Sequence, residues 1–265
     1  MSTQTEGDQA SVSRQVAGTN RNWEQMGAAS GLLATLLFVL GIAMAVIAAS
    51  GSPSAPDVAN AQNAPAFLAA GLNQVRLEVL FTSLGIVLFL WFVGSLWMRL
   101  KQAEGEPARG STIALAGATV GSALMLVGLA LTSTMGLTTS PAQANVVPAL
   151  YVASALLVAF GGGTLSLFFF GVARVILHTE ALGRWLGVLA FIEALLCVLA
   201  FMTPFFDSGV LNAATGLLGR TAWYFGFVIW LLLTSAVLTW EERTWIRGEH
   251  EPRANIATRM EGEYQ

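Results

Sequence analysis

Six long apolar stretches dominate the sequence and are separated by shorter polar segments. Their approximate limits are residues 27–49, 77–100, 111–134, 148–176, 182–205 and 219–240. Each stretch is long enough for a helix to cross a hydrocarbon core, which takes about 20 residues. The stretches are apolar on all sides rather than alternating, which predicts helices and not the strands of a barrel. We therefore expect an all-α integral membrane protein, a bundle of six transmembrane helices.

Polar segments flank this predicted bundle at both ends of the sequence. Residues 1–25 are rich in Ser, Thr and Gln, which is typical of a disordered tail. The first apolar stretch begins too late and continues too long for a signal peptide. Residues 246–265 lose their apolar positions after a run of alternating charges. The predicted organisation is a disordered tail at 1–25, a transmembrane domain at 26–245 and a flexible tail at 246–265.

The basic residues are distributed unequally between the two sides of the predicted membrane. Eleven of the thirteen Lys and Arg residues fall on the side that holds both termini, and the other side receives only Arg76 and Arg220. Segments that remain in the cytoplasm carry an excess of Lys and Arg. Both tails are therefore predicted to be cytoplasmic.

Composition supports the membrane assignment and narrows the possible functions. The chain is 55% hydrophobic and 11% charged, with a mean hydropathy of +0.64, whereas soluble domains have about a quarter of their residues charged. A net charge of −3 argues against a nucleic-acid partner. One cysteine and two histidines provide neither a zinc motif nor a disulfide. We find no catalytic motif and expect no cofactor or metal, so the sequence leans against an enzyme, although unfamiliar carboxylate chemistry stays open.

One carboxylate interrupts the fifth apolar stretch, GVLAFIEALLCVLAF (187–201). At 1.5 Å per residue, Glu193 lies roughly 16 Å from the cytoplasmic edge of this helix, close to the membrane midplane. Three further polar-capable side chains on other helices fall near the same depth. Together they form a candidate intramembrane polar site, whose members are Glu193, Trp230, Thr164 and Ser122.

Small residues recur at three- and four-residue steps along the fifth helix, and Glu193 lies on the flank of this face. Such faces let helices approach closely in lipid, so we expect Glu193 to point into the bundle. An ionised carboxylate is costly at the midplane, which favours the neutral acid, accepting a hydrogen bond from Trp230 or Thr164. Two interpretations remain open: a structural tie between helices, or a site for a proton, a cation or a polar head group.

The second helix opens with NQVRLEVLF (73–81), which carries Arg76 and Glu78. Two residues apart on a helix, these side chains do not face each other. The simpler interpretation is anchoring at the membrane interface. The alternative is the outer mouth of a cavity that also includes Asp207 and Arg220.

Two segments carry a resemblance to a known group of proteins. They are FLWFVGSLWMRLKQAEGEPARGSTIALAG (89–117) and HTEALGRWLGVLAFIEALLCVLA (178–200). They resemble the uncharacterised six-span integral membrane proteins common in actinobacteria. The resemblance implies a six-span topology and a bacterial plasma membrane, and it implies no activity.

Two functional hypotheses follow from the sequence. The leading one is non-enzymatic binding, within the bilayer, of a lipid-like or small apolar ligand or of a partner membrane protein. The alternative is a small proton-linked transporter that uses Glu193.

Overall fold

The computed structural model describes residues 3–50, 61–137, 145–179, 181–205 and 222–248, with side chains described from residue 25 to residue 240 within these ranges. The regular structure within these ranges is helical. Six of the helices are long and apolar enough to cross a membrane. The prediction of an all-α protein with six such helices is confirmed for the described residues, whereas membrane insertion and the cytoplasmic side stay predictions.

The six helices have the following limits: α1 Thr3–Ser50, α2 Ala64–Glu104, α3 Arg109–Leu137, α4 Val147–Thr179, α5 Arg184–Met202 and α6 Trp223–Gly248. Short 3₁₀ turns at Ala61–Asn63 and Thr203–Phe205 precede α2 and follow α5. Five of the helices exceed the length of a bilayer crossing, which at 1.5 Å per residue takes about 20 residues, and α5, with 19 residues, matches it.

Two helices begin earlier than the sequence predicted. α1 starts at Thr3, so the backbone over most of residues 1–25 is helical where we predicted a disordered tail. This segment contains no proline, and a helix that is already formed propagates at little cost. α2 starts at Ala64 rather than near residue 77, with a proline in its first turn and a non-helical residue at Gly71 (φ −122°, ψ 24°). At the other end, α6 continues to Gly248, and residues 249–265 lie outside the described part.

The helices pack as a closed ring in chain order. Each helix contacts the next one, α6 returns to contact α1, and α2 also contacts α4 across the middle. The tightest pair is α3 and α4, whose backbones touch where glycines face each other. A methyl group on Gly117 would lie 2.5 Å from the amide nitrogen of Phe168, and one on Gly121 would lie 2.9 Å from the carbonyl oxygen of Gly161. Close backbone contact of this kind is typical of helix pairs in membranes.

Aromatic rings from four helices fill the middle of the bundle. We call this set the aromatic core: Phe38 of α1, Phe89 of α2, Phe168 and Phe169 of α4, and Phe227 and Trp230 of α6. Ring centroids within it lie 4.9 to 6.1 Å apart, and most pairs meet edge to face. This is the geometry that aromatic pairs prefer. All six side chains are almost completely buried.

Candidate functional site

Glu193 lies on α5 and is 3% exposed, so its side chain points into the bundle as predicted. Its carboxyl group rests directly against Gly226 of α6, where the missing side chain leaves room for it. The backbone N–H of Phe227 donates a hydrogen bond to this carboxyl group. One turn along α5, the thiol of Cys197 donates to Oε1 at 3.7 Å. Glu193 therefore joins α5 to the first turns of α6.

The predicted hydrogen-bond partners of Glu193 were wrong. The Nε1–H of Trp230 donates to the carbonyl oxygen of Leu186 at 3.2 Å. α5 and α6 run in opposite directions, so a step from Gly226 to Trp230 moves away from Glu193 and toward the start of α5. The Thr164 hydroxyl instead donates to the carbonyl of its own helix, three residues back, at 2.9 Å.

The four residues of the predicted polar site lie at two different interfaces. Glu193 and Trp230 share the interface between α5 and α6. Thr164 faces α3, where its hydroxyl would lie 3.0 Å from a methyl group on Gly121. Ser122 is buried on α3, next to that glycine. The prediction grouped these residues by their depth along the helices, and depth alone does not determine which neighbour a side chain faces.

Sequence reasoning missed three residues that contact Glu193, namely Cys197, Gly226 and Phe227. Cys197 follows it by four positions, and residues at that spacing are neighbours on a helix surface, so this partner could have been found. Gly226 could not have been found, because its role depends on how α6 is placed against α5. A glycine in an apolar helix gives no sign of which helix it faces.

Two members of the predicted outer mouth, Arg76 and Glu78, lie within the described residues. Arg76 is exposed, and its guanidinium donates to the carbonyl oxygen of Gly136, near the end of α3, at 3.4 Å. Glu78 instead interacts electrostatically with Tyr224 of α6. The hydroxyl group of Tyr224 is hydrogen-bonded to Thr82 of α2. Arg76 thus contacts α3, whereas the charge of Glu78 acts on a residue of α6. Their spacing predicted only that the two side chains do not face each other.

The other two members of that mouth, Asp207 and Arg220, lie outside the described residues.

The turn between α2 and α3 lies at the end of the bundle opposite to Arg76, and it is held by hydrogen bonds. Glu104 is the last residue of α2, beyond its apolar part, and its two carboxylate oxygens accept hydrogen bonds from the N–H groups of Gly110 (2.8 Å) and Ser111 (2.9 Å). These are among the N–H groups that the start of α3 leaves without helical partners. Partial burial acts to raise the pKa of Glu104, but these bonds, the Ser111 hydroxyl and the charge of Arg174 together lower it.

The chain matches no known family. No family model, no curated protein and no solved structure is similar to it. Within the described ranges, no group of three or more His, Cys, Asp and Glu side chains could hold a metal ion. The functional argument therefore rests on the geometry of the bundle itself.

The surroundings of Glu193 limit what this residue can do. Phe227, whose amide binds the carboxyl group, also packs its ring against Phe38, Phe89 and Phe169. On this side the carboxyl group is therefore bordered by the aromatic core. Its two bonding partners, a thiol and an amide, carry no charge in their ordinary states. This arrangement can hold two helices together, and it can hold a proton.

Proposed function

We propose that the protein is a non-enzymatic, multi-pass membrane protein that acts by binding a partner membrane protein or a lipid-like ligand along its lipid-facing surface. The aromatic core carries this proposal. Rings from four helices occupy the middle of the bundle, where a ligand or a water path would otherwise lie. Because the interior is filled, a partner protein or a lipid-like ligand would bind on the outward faces of the helices.

Among these faces, that of α1 is the most open. In the most apolar 18-residue segment of α1, only 28% of the residues are buried, compared with 39% to 44% in the corresponding segments of the other five helices. Its outward face presents Leu33, Leu36 and Val39, all about half exposed. We propose that a partner helix or an acyl chain packs against this face.

The proposal places the bundle in a bacterial plasma membrane with both termini in the cytoplasm. The unequal distribution of Lys and Arg supports this orientation. The resemblance to actinobacterial six-span proteins supports the compartment.

Site-specific photocrosslinking in intact membranes tests the binding surface. A photoreactive residue at Leu36, which is 54% exposed, is expected to form an adduct of defined mass. The same residue at Phe38, which is 1% exposed, is expected to react only within the chain. Leu195, which is 53% exposed on α5, provides the control for bulk lipid. If Leu36 and Leu195 give the same products, α1 is not a recognition surface.

A second candidate, the small proton-linked transporter, is favoured by one observation. Glu193 is a buried carboxyl group whose bonding partners are a neutral thiol and a backbone amide. Such partners would allow it to take up and release a proton without breaking an ion pair.

Cys197 distinguishes the two candidates because it is the only cysteine and it touches Glu193. Binding at the outer surface predicts that a charged, water-soluble thiol reagent leaves Cys197 unmodified in the folded protein, because such reagents require a thiolate in contact with water. Gln102→Cys in a Cys197→Ala background serves as the reactive control, because residue 102 is exposed in the last turn of α2. Rapid modification of Cys197, together with a proton flux in proteoliposomes that Glu193→Gln abolishes, would instead establish the transporter.

A further inference from the structure

The first turn of α3 and the last turns of α4 meet in a seam of close backbone contact. A methyl group on Gly171 would lie 2.6 Å from the carbonyl oxygen of Gly110 and 3.0 Å from Cβ of Ala114. A methyl group on Gly110 would lie 2.8 Å from a methyl group of Val175. These four residues therefore define the line along which the two helices touch.

The residues that precede these contact positions share one flank of the seam. On α3 they are Arg109 and Ile113, and on α4 they are Phe170 and Arg174. Both helices are right-handed and they run in opposite directions, so the position before a contact residue turns toward the same side on each helix. All four side chains are exposed. We call this surface the α3–α4 flank.

Charge is concentrated at the end of the α3–α4 flank. Arg109 and Arg174 lie on adjoining helix ends, immediately before Gly110 and Val175, which touch. Among the described acids, Glu104 acts on Arg174 through its charge. Both carboxylate oxygens of Glu104 accept hydrogen bonds from the N–H groups at the start of α3. Glu104 is thus held by the backbone of α3, which leaves the N–H donors of the two guanidinium groups for an outside anion.

An apolar surface continues directly below this charge. Ile113 is 44% exposed and lies one helical turn beyond Arg109, while Phe170 is 49% exposed and lies one turn from Arg174. Ala116, also exposed, precedes the contact residue Gly117 and continues this surface about one turn further along α3. A cationic end above an apolar strip matches an amphipathic ligand, with an anionic head group and a hydrocarbon chain. A soluble anion would leave the apolar strip unused.

We propose that the α3–α4 flank binds an anionic phospholipid, with the guanidinium groups of Arg109 and Arg174 on its phosphate and an acyl chain along Ile113 and Phe170. Guanidinium groups bind phosphate through paired N–H donors in a fixed planar geometry. This site goes beyond the proposed function, since it lies on a different pair of helices from the α1 face and requires no partner protein.

Lipid titration followed by native mass spectrometry tests the site on the full-length protein in neutral detergent. Phosphatidylglycerol is expected to bind in preference to phosphatidylcholine. The variant Arg109→Gln/Arg174→Gln is expected to bind phosphatidylglycerol about 30-fold more weakly, since each basic group near a membrane surface contributes roughly a fivefold gain. Arg76→Gln/Arg184→Gln removes the same charge from exposed positions off the flank, and it should bind as the wild type does.

Three outcomes would overturn the proposal. The first is an equal loss of binding in both Gln variants, which would mean that net charge alone attracts the lipid. The second is inorganic phosphate competing fully with the lipid at equal concentration, which would indicate a soluble-anion site. The third is unchanged affinity in Arg109→Lys/Arg174→Lys, because this variant keeps the two charges but loses the planar N–H donor pairs. The same variant replaces the Gln variant if the Gln variant fails to fold.

Discussion

Adding a methyl group to Gly226 tests the contact that holds Glu193 against α6. In Gly226→Ala the new Cβ would overlap Oε2 of Glu193 and lie 2.9 Å from its Cδ. Since Gly226 is inside a helix, its own backbone cannot retreat without disturbing α6. The carboxyl group must therefore rotate away and give up its bonds to Cys197 and Phe227.

The expected cost follows from three contributions. Overpacking of a filled interior costs about 1–3 kcal/mol, and the two weakened hydrogen bonds together cost about 1 kcal/mol, given the modest value of such bonds between membrane helices. Replacing glycine by alanine inside a helix returns up to about 1 kcal/mol. We expect Gly226→Ala to lower the free energy of unfolding by about 1–3 kcal/mol.

A double-mutant cycle with Glu193→Ala isolates this contact. Removing the carboxyl group leaves space for the methyl group, so Gly226→Ala should then be neutral or stabilise the protein by up to about 1 kcal/mol. Whether Gly226→Ala raises or lowers the free energy of unfolding thus depends on which residue occupies position 193. Reversible unfolding in mixed micelles with increasing dodecyl sulfate, followed by tryptophan fluorescence, measures each free energy.

Gly94→Ala is the matched control, because no atom lies within 4 Å of the position that its methyl group would occupy. It should be neutral or mildly stabilising in either background. The reasoning fails if Gly226→Ala has the same effect with Glu or Ala at position 193, within the ~0.5 kcal/mol expected of independent sites.

Three further predictions concern other contacts. Trp230→Phe keeps an aromatic ring but loses the hydrogen bond to Leu186 and part of the buried ring volume, and it should cost at least about 1 kcal/mol in the same unfolding assay. Gly117→Ala places a methyl group against the backbone nitrogen of Phe168, which cannot move aside, and it should cost about 1–3 kcal/mol. The pKa of Glu104 is lowered in the folded protein, so its contribution is complete above the unfolded value near 4.5 and is lost as the pH falls through the folded value. The stability of the wild type relative to Glu104→Gln should therefore decrease below about pH 4.5 in detergent-based acid titrations.

For each of these three predictions, one experimental result would contradict the reasoning. A Trp230→Phe variant as stable as the wild type would mean that its N–H bond is energetically neutral. Equal effects of Gly117→Ala and Gly94→Ala would contradict the close backbone contact between α3 and α4. A stability difference between wild type and Glu104→Gln that is constant with pH would mean that the charge of Glu104 does not stabilise the start of α3.

Helix number and helix type were predictable because they depend on local composition. A run of about 20 apolar residues has few alternatives to a helix, and the described structure contains six of them. The limits of α1 and α2 were not predictable in the same way. Polar residues before an apolar stretch are compatible with either a tail or a continuing helix, and α1 continues to Thr3.

The arrangement around Glu193 shows where sequence reasoning ends. Its burial followed from the small residues on its helix face, and the structure agrees. Its partners depended on the rotation of α6 about its axis, which the sequence does not specify. A rotation that placed Gly226 beside the carboxyl group directed the N–H of Trp230 to Leu186 instead.

The closed ring of helices has a consequence for biosynthesis. Along the chain α6 follows the other five described helices, and it completes the circle against α1 and contributes Phe227 and Trp230 to the aromatic core. Until α6 is made, Phe38 lacks its ring contact with Phe227, and Glu193 lacks the helix that covers it. If the bundle inserts in the membrane as proposed, a nascent chain that stalls before residue 223 would carry an uncovered acid within the bilayer, a marker by which membrane proteases could recognise an unfinished protein.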